Sequence, residues 1–502
     1  MSSVTDSLSA LVRSATIVFI GSAFGRVIAL IAEAFIARSL MPTTYGQVAL
    51  AFSIVGAVGS VLLFGIHEGV TRLLSATTDK KKMNHVTQAG YLSVAISGII
   101  GVLIVIIFSK AIAQTMSQPG LALFLVLLSP YLLLYPLSQV SISILRSWGQ
   151  TKHAILSRAI ASRIIGIFSL GILLHFGFDA EAAVIYWLII PFTIISISTY
   201  FINPLISYNE ILTKRPDANV VSKLWSFSWP LAIGSVIFLF LSKLDILMIG
   251  YFLSAKEVGY YRSIQPLRQA STFVLASFSF LFLPLATRYF EKGKVDDLGK
   301  LFTTTTKWTV IVALPMVLIL MFFSDNIVLF LFGEAYRPAA LPLSILSAGY
   351  FLRALSGLDG DMVKAINVPK IELFAGVMGV IVNFILNLLL IPIIGIAGAA
   401  LGTVVGFVIY NTVELVAIYR ITGQTPFSWN LFKPMVPTVV AAFVLSVFIQ
   451  TNGFLILLPT GIVLGIVSFA SVFLTRSLSD ADQILITRFE SKTGYKISNL
   501  VK

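Results

Sequence analysis

Charged side chains inside otherwise apolar stretches define the chemistry open to this sequence. Six cations (Arg26, Arg158, Arg163, Lys243, Arg268 and Arg353) and five carboxylates (Glu33, Asp245, Asp359, Asp361 and Glu414) are placed in this way. A charge at the centre of a bilayer-length helix costs on the order of 2.5 to 3.5 kcal/mol on insertion scales unless it meets water or a partner. Two kinds of chemistry follow. Arg26, Arg163, Lys243, Arg268 and Arg353 would form a cationic path that attracts an anionic group. Glu33 and Glu414, and after them Asp359, could bind and release a proton or Na⁺. Each charge also has a plainer reading, as half of a buried pair bridging two helices.

Spacing sharpens some of these readings. Arg26 and Glu33 are seven residues apart, two helical turns along one face, and suit the lining of a cleft. Lys243 and Asp245, two apart, point to nearly opposite faces, so only one of them can line a given cleft. Arg158 lies nearer a helix end and suits snorkelling to the interface, as Arg268 also could. Tyr131, Tyr135, Tyr186 and Tyr350 could stack sugars or serve as interfacial and packing residues.

Other chemistries find no support. The absence of cysteine removes disulfides and thiolate metal sites. His67, His85, His153 and His175 lack ligand spacing, so no metal site is expected. The sequence has no phosphate-cradling GxxxxGK loop. The Asp359-Gly360-Asp361 triplet resembles a sugar-nucleotide metal motif but lies in or at the end of an apolar span. The expectation is a protein that is not an enzyme, with no catalytic residues and no cofactor.

The elements that must hold these charges are membrane helices. Of the 502 residues 57% are hydrophobic and 11% charged, with a mean hydropathy of +0.95, whereas soluble domains carry about 25% charged residues. A bilayer core of about 30 Å needs roughly 20 apolar residues per helix. Fourteen candidates are centred near Gly25, Val58, Ile99, Leu133, Ile165, Phe192, Ile237, Leu275, Leu314, Leu346, Ile381, Val404, Phe443 and Ile466. The apolar stretch 14–40 is too long for a signal-peptide core and is expected to be a retained first helix. Of the Lys and Arg between spans, 24 fall on the side of the N-terminus and 5 on the other. That alternation predicts a multi-pass protein of the cell membrane with both termini cytoplasmic. It also accounts for most of the net charge of +13 without nucleic acid. After Arg476, Ser479 or Asp480 could cap a short helix bearing Ile484, Leu485 and Phe489.

The chain also repeats itself. The turn "ARSLMPTTYGQVALA" from Ala37 aligns with "GYFLSAKEVGYYRSI" from Gly250, superposing Gly46 on Gly259 at an offset of 213 residues. The stretch from Lys152 lies against that from Lys370, pairing Gly177 with Gly395 and Ala182 with Ala400. An even number of spans per repeat makes the two halves parallel about an axis along the membrane normal, with a cleft at their interface. The expected fold is therefore all-α: two pseudo-symmetric six-helix lobes, 1–208 and 209–420, then two added helices in 421–476 and a cytoplasmic tail, 477–502. Prolines within spans, among them Pro130, Pro136, Pro191, Pro284 and Pro392, mark expected bends.

The motifs "RSLMPTTYGQVALAFSI", "GIHEGVTRLLS", "EVGYYRS" and "GEAYRPAALPLSILSAGYFL" resemble the polysaccharide transporter family. So does the stretch 366–411, with Asn383, Asn387, Pro392 and "GIAGAALGT". That family contains the O-antigen and repeat-unit flippases of the multidrug/oligosaccharidyl-lipid/polysaccharide exporter superfamily, and the resemblance covers nearly the whole chain. It implies a two-lobed bundle that moves a polyprenyl- or dolichyl-(pyro)phosphate-linked oligosaccharide from the inner to the outer leaflet by alternating access. Its partners would be that lipid-linked oligosaccharide, membrane lipids and a proton or Na⁺. The alternatives are a drug or cation exporter of the same superfamily, which would favour an acidic cavity, and a membrane glycan polymerase or ligase, which needs a large catalytic loop.

Overall fold

The computed structural model describes residues 2–204, 216–449, 454–479 and 482. Within these, the side chains of 2–19, 233–242, 268–273, 280–281 and 454–455 are not described. The described chain is helical throughout and divides into two compact units, Met1–Ser263 and Ile264–Lys502.

In the first unit α1 (Ser2–Ser39) leads through a two-residue turn to α2 (Pro42–Leu62), whose first position holds Pro42, a residue preorganised to start a helix. Phe64 and Gly65, both at positive φ, break the chain before the short α3 (Ile66–Ser75). Then come α4 (Lys80–Thr115), capped by Asp79, and a fourth span broken at Ser129–Pro130 into α5 (Leu121–Leu128) and α6 (Tyr131–Ser147). The fifth span starts as α7 (Thr151–Ile155), loosens into a π-turn at Leu156–Ala161 and continues as α8 (Ser162–His175). The unit ends with α9 (Ala180–Ile202), α10 (Ala218–Phe252) and α11 (Ala255–Ser263).

The second unit holds α12 (Gln265–Glu291), α13 (Val295–Phe322), α14 (Ser324–Phe332), α15 (Ala340–Ser356), α16 (Asp359–Ala365), α17 (Pro369–Ile394), α18 (Ile396–Thr422), α19 (Trp429–Phe432), α20 (Met435–Phe448) and α21 (Phe454–Leu474).

Side-chain placement follows membrane rather than aqueous logic. On α4 the large residues Ile96, Ile99, Leu103 and Ile107 are exposed, while Ser93, Ser97 and Gly101 turn inward. Small residues allow close helix approach where lipid already solvates the large ones. Ser97 Oγ donates to the Leu62 carbonyl at 2.9 Å, tying α4 to α2. Among the described residues, twelve helical stretches are long and apolar enough to cross a membrane. They match twelve of the expected spans; the two expected near Ile237 and Leu275 fall in α10 and α12, where part of the side chains is not described. This is a multi-pass membrane protein.

Two features of the sequence repeat have structural counterparts. Within the first unit, α2 and α11 press together at Gly46 and Gly259. A Cβ on Gly46 would collide with the Ala255 carbonyl oxygen, and one on Gly259 with the Pro42 carbonyl oxygen. Pro42 and Ala255 are the first residues of the two helices and stand at the same 213-residue offset, so the contact is reciprocal, as across a two-fold axis. Gly177 and Gly395 both adopt positive φ, 81° and 63°, and Ala182 and Ala400 are both fully buried. The compact units do not follow the repeat in one respect: α10 and α11 lie beyond residue 208, yet they pack in the first unit on α2, α3 and α4.

Candidate functional site

Some of the sequence-predicted charges find partners, Glu33 in the first unit and Asp359, Glu414 and Arg353 in the second. In the first, α1 carries Glu33 at 5% exposure. Its Oε1 accepts a hydrogen bond of 2.5 Å from the Tyr45 hydroxyl of α2 and lies 3.3 Å from Arg262 Nη2 of α11. Arg26, two turns earlier on α1, is exposed, so the two residues differ in burial despite their seven-residue spacing. Asp245 of α10 is buried and accepts a 3.0 Å hydrogen bond from Tyr261 of α11. Lys243 is half-buried. Arg268 has its side chain outside the described residues.

Arg163 lies half-buried on α8, close enough to act electrostatically on Tyr131 of α6 and Tyr186 of α9. The buried Tyr186 hydroxyl has no hydrogen bond of sound geometry among the described residues. Around it Phe52 stacks on Trp187 with ring centroids 4.3 Å apart, and Tyr131 stacks on Tyr135 at 5.3 Å. Phe52 and Tyr131 meet edge to face at 5.2 Å, closing a continuous aromatic wall beside the guanidinium. A cation acting on two tyrosine hydroxyls near stacked aromatic rings is chemistry suited to a phosphate-bearing sugar.

In the second unit the backbone breaks after α15 at Gly357, φ 75°, and α16 begins with Asp359. Asp359 is 7% exposed; its Oδ1 accepts from the Gly360 N–H at 3.0 Å, while Oδ2 has no partner among the described residues. Glu414 of α18 is fully buried, and neither of its oxygens has a hydrogen bond of sound geometry there. The two carboxylates are neighbours: a Cβ on Gly360 would stand 3.6 Å from Glu414 Oε2 and 3.9 Å from the Tyr410 hydroxyl. Arg353 acts on both electrostatically and places its guanidinium 5.5 Å from the Phe407 ring centroid. Sequence spacing alone did not bring Arg353, Asp359 and Glu414 together. Two buried carboxylates, with Tyr410, Lys364 and Arg353 acting on Glu414, form a group of charges that can bind and release a small cation.

A side-chain hydrogen bond from Asn383 ties α17 to α18. Asn383 Nδ2 donates to Thr403 at 3.3 Å, and Asn387 Nδ2 donates to Asn383 Oδ1 at 3.2 Å. The first of these bonds crosses between the helices, and the second runs along α17.

Sequence reasoning missed one further buried charge. Lys307, counted among the cytoplasmic residues between spans, is 2% exposed on α13 and forms a buried ion pair with Asp482. Asp482 also accepts from Trp308 Nε1 at 2.7 Å and from the Ser479 backbone N–H at 2.7 Å. Its reach back to Ser479 is one half of a capping box, the signal visible in the sequence. Burial alone would raise the Asp482 carboxyl, but the hydrogen bonds from Lys307 and Ser479 prevail and hold it below the usual carboxylate range. Ile484, Leu485 and Phe489 of the expected tail helix, and the alternative cap Asp480, lie outside the described residues.

Comparisons with known proteins agree with this architecture. The chain is 25% identical over 410 residues to a probable low-salt glycan biosynthesis flippase, Agl15, of Haloferax volcanii, covering 80% of this chain and 82% of that one. To AglR, a probable flippase of the same organism, it is 22% identical over 188 residues, 37% and 39% of the two chains. Among solved structures, the fold is similar to the lipid II flippase MurJ in an inward closed conformation, with TM-score 0.73, 15% identity and coverage of 90% and 97%. It is also similar to an inward-facing multidrug resistance MATE family transporter of the MOP superfamily, with TM-score 0.67, 13% identity and coverage of 79% and 94%. At these identities the structural likeness is one of fold. The sequence model of one family, described as polysaccharide biosynthesis protein, matches residues 35–341, more than half of the chain, and the chain belongs to that family.

Proposed function

We propose that this protein is a flippase that carries a lipid-linked oligosaccharide from the inner to the outer leaflet by alternating access, for polysaccharide or glycan assembly. The observation that carries the reading is the similarity to a probable glycan biosynthesis flippase across four fifths of both chains. In this reading the chain has fourteen spans, two parallel six-span repeats at 1–208 and 209–420, two added helices, and both termini in the cytoplasm. The reciprocal contact at Gly46 and Gly259 supports the repeat.

Arg163 with its aromatic wall and Arg353 with Phe407 suit a phosphate and its sugars. Arg26, Lys243 and Arg268 complete the proposed cationic path. The Asp359–Glu414 pair is the candidate for a coupling proton or Na⁺. Glu33, being engaged by Arg262 and Tyr45, is a weaker candidate for that role than the sequence suggests.

Deleting the gene tests the reading. The expected result is accumulation of one lipid-linked saccharide on the cytoplasmic leaflet, reversed by the wild-type gene. Unchanged lipid-linked saccharides with increased sensitivity to drugs or cationic dyes would instead make the protein an exporter.

A further inference from the structure

We infer that the Glu33–Tyr45–Arg262 cluster is the contact that holds one end of the transport path shut, and that Arg262 is the positioning residue whose release opens it. The inference rests on the alternating-access reading above. Three turns meet at this end of the first unit: that between α1 and α2, that between α10 and α11, and the one at 116–120 between α4 and α5. By the distribution of lysine and arginine it is the outer end.

Each of the first two turns is braced internally by a tyrosine on a carboxylate. Tyr45 of α2 holds Glu33 of α1 at 2.5 Å, and Tyr261 of α11 holds Asp245 of α10 at 3.0 Å. The two helix pairs are thereby stiffened as separate pieces. Arg262 crosses from one piece to the other, and with it the chain passes from the first half of the sequence repeat to the second, 229 residues on. Gln118, 6% exposed, adds a second crossing by donating to the Gly250 carbonyl at 3.0 Å. The backbones of α2 and α11 also approach closely at Gly46 and Gly259 in the same junction.

An ion pair suits such a seam better than an apolar one. Dehydrating two charges offsets much of their mutual attraction, so the closed contact contributes little net stability while fixing geometry. On opening, water reclaims both charges, and the two states stay close in free energy. An apolar seam of the same area would favour closure more strongly.

The absence of native cysteine makes a direct test available. Leu50 is fully buried on α2 against Gly250 of α10, so Leu50→Cys places a single thiol in the seam. Its reaction with a membrane-impermeant maleimide on intact cells is expected to be slow. With Glu33→Gln or Arg262→Met added it should become about tenfold faster or more, as the open population rises. The double variant should react no faster than either single one, because both remove the same contact. Arg262→Lys, which keeps the charge, should lie closest to the parent.

An unchanged labelling rate in both neutral variants would overturn the inference. So would loss of fold in both, judged by melting in detergent, since the pair would then be a structural brace. The readout needs no substrate, so failure of the flippase reading leaves the labelling result standing, and the reverse also holds.

Discussion

A buried charge needs a counter-charge, and Lys307 takes its own from the far end of the sequence. Removing the Asp482 carboxylate leaves an ammonium 2% exposed in α13. Asp482→Ala should therefore cost about 3 to 5 kcal/mol, read as a lower melting temperature in detergent. The double variant Lys307→Met/Asp482→Leu should recover most of the loss. The pair also predicts a pH dependence. Its hydrogen bonds hold the Asp482 carboxyl below its ordinary range, so at acid pH the unfolded chain binds the proton more readily than the folded one. The contribution is complete above about pH 4 and is lost as pH falls through the folded-state pKa. Asp482→Asn should flatten that acid limb of stability, measured by melting from about pH 5 downward. For Asp359 and Glu414 the prediction concerns transport. Asp359→Asn and Glu414→Gln should each uncouple flipping from an imposed proton or Na⁺ gradient in vesicles. Wild-type transport indifferent to both gradients would dismiss the pair as the coupling site.

At the scale of elements, two kinds of glycine separate packing from backbone conformation. Gly46 meets the α11 backbone, so Gly46→Ala and Gly259→Ala should each destabilise by about 1 to 3 kcal/mol through overpacking. Gly395 has open space around its Cα but sits at φ 63°, ψ −142°, a region reserved for glycine. Gly395→Ala should cost about 1 to 3 kcal/mol through the backbone alone. Melting temperatures report both, and a silent Gly46→Ala would remove the reciprocal contact from the account. The helices themselves were legible in the sequence because hydropathy averages over some twenty residues and tolerates local error. Their internal breaks were less so. Pro130 announced the division between α5 and α6, whereas the π-turn at Leu156–Ala161 has no proline and lies where Gly25 of α1 approaches the Ala159 backbone. The charged residues were legible as anomalies, but their partners were not. Periodicity relates residues a few turns apart, and Glu33 finds Arg262 only after the helices between them have folded.

For the whole molecule, composition excluded a soluble protein, and the lysine and arginine bias gave an orientation that single-cysteine labelling can check. Thiols placed near residues 80 and 150 should react only from inside intact cells, and one near residue 117 only from outside. The central claim concerns the substrate, and reconstitution tests it most directly. Purified protein in liposomes containing a polyprenyl-pyrophosphate-linked oligosaccharide should bring the saccharide to the opposite leaflet, read by an impermeant oxidant or lectin. Arg163→Ala and Arg353→Ala at equal protein levels should slow it at least about tenfold, a loss of one charge-assisted contact each. No transfer above protein-free liposomes for any lipid-linked saccharide that accumulates in the deletion strain would contradict the account.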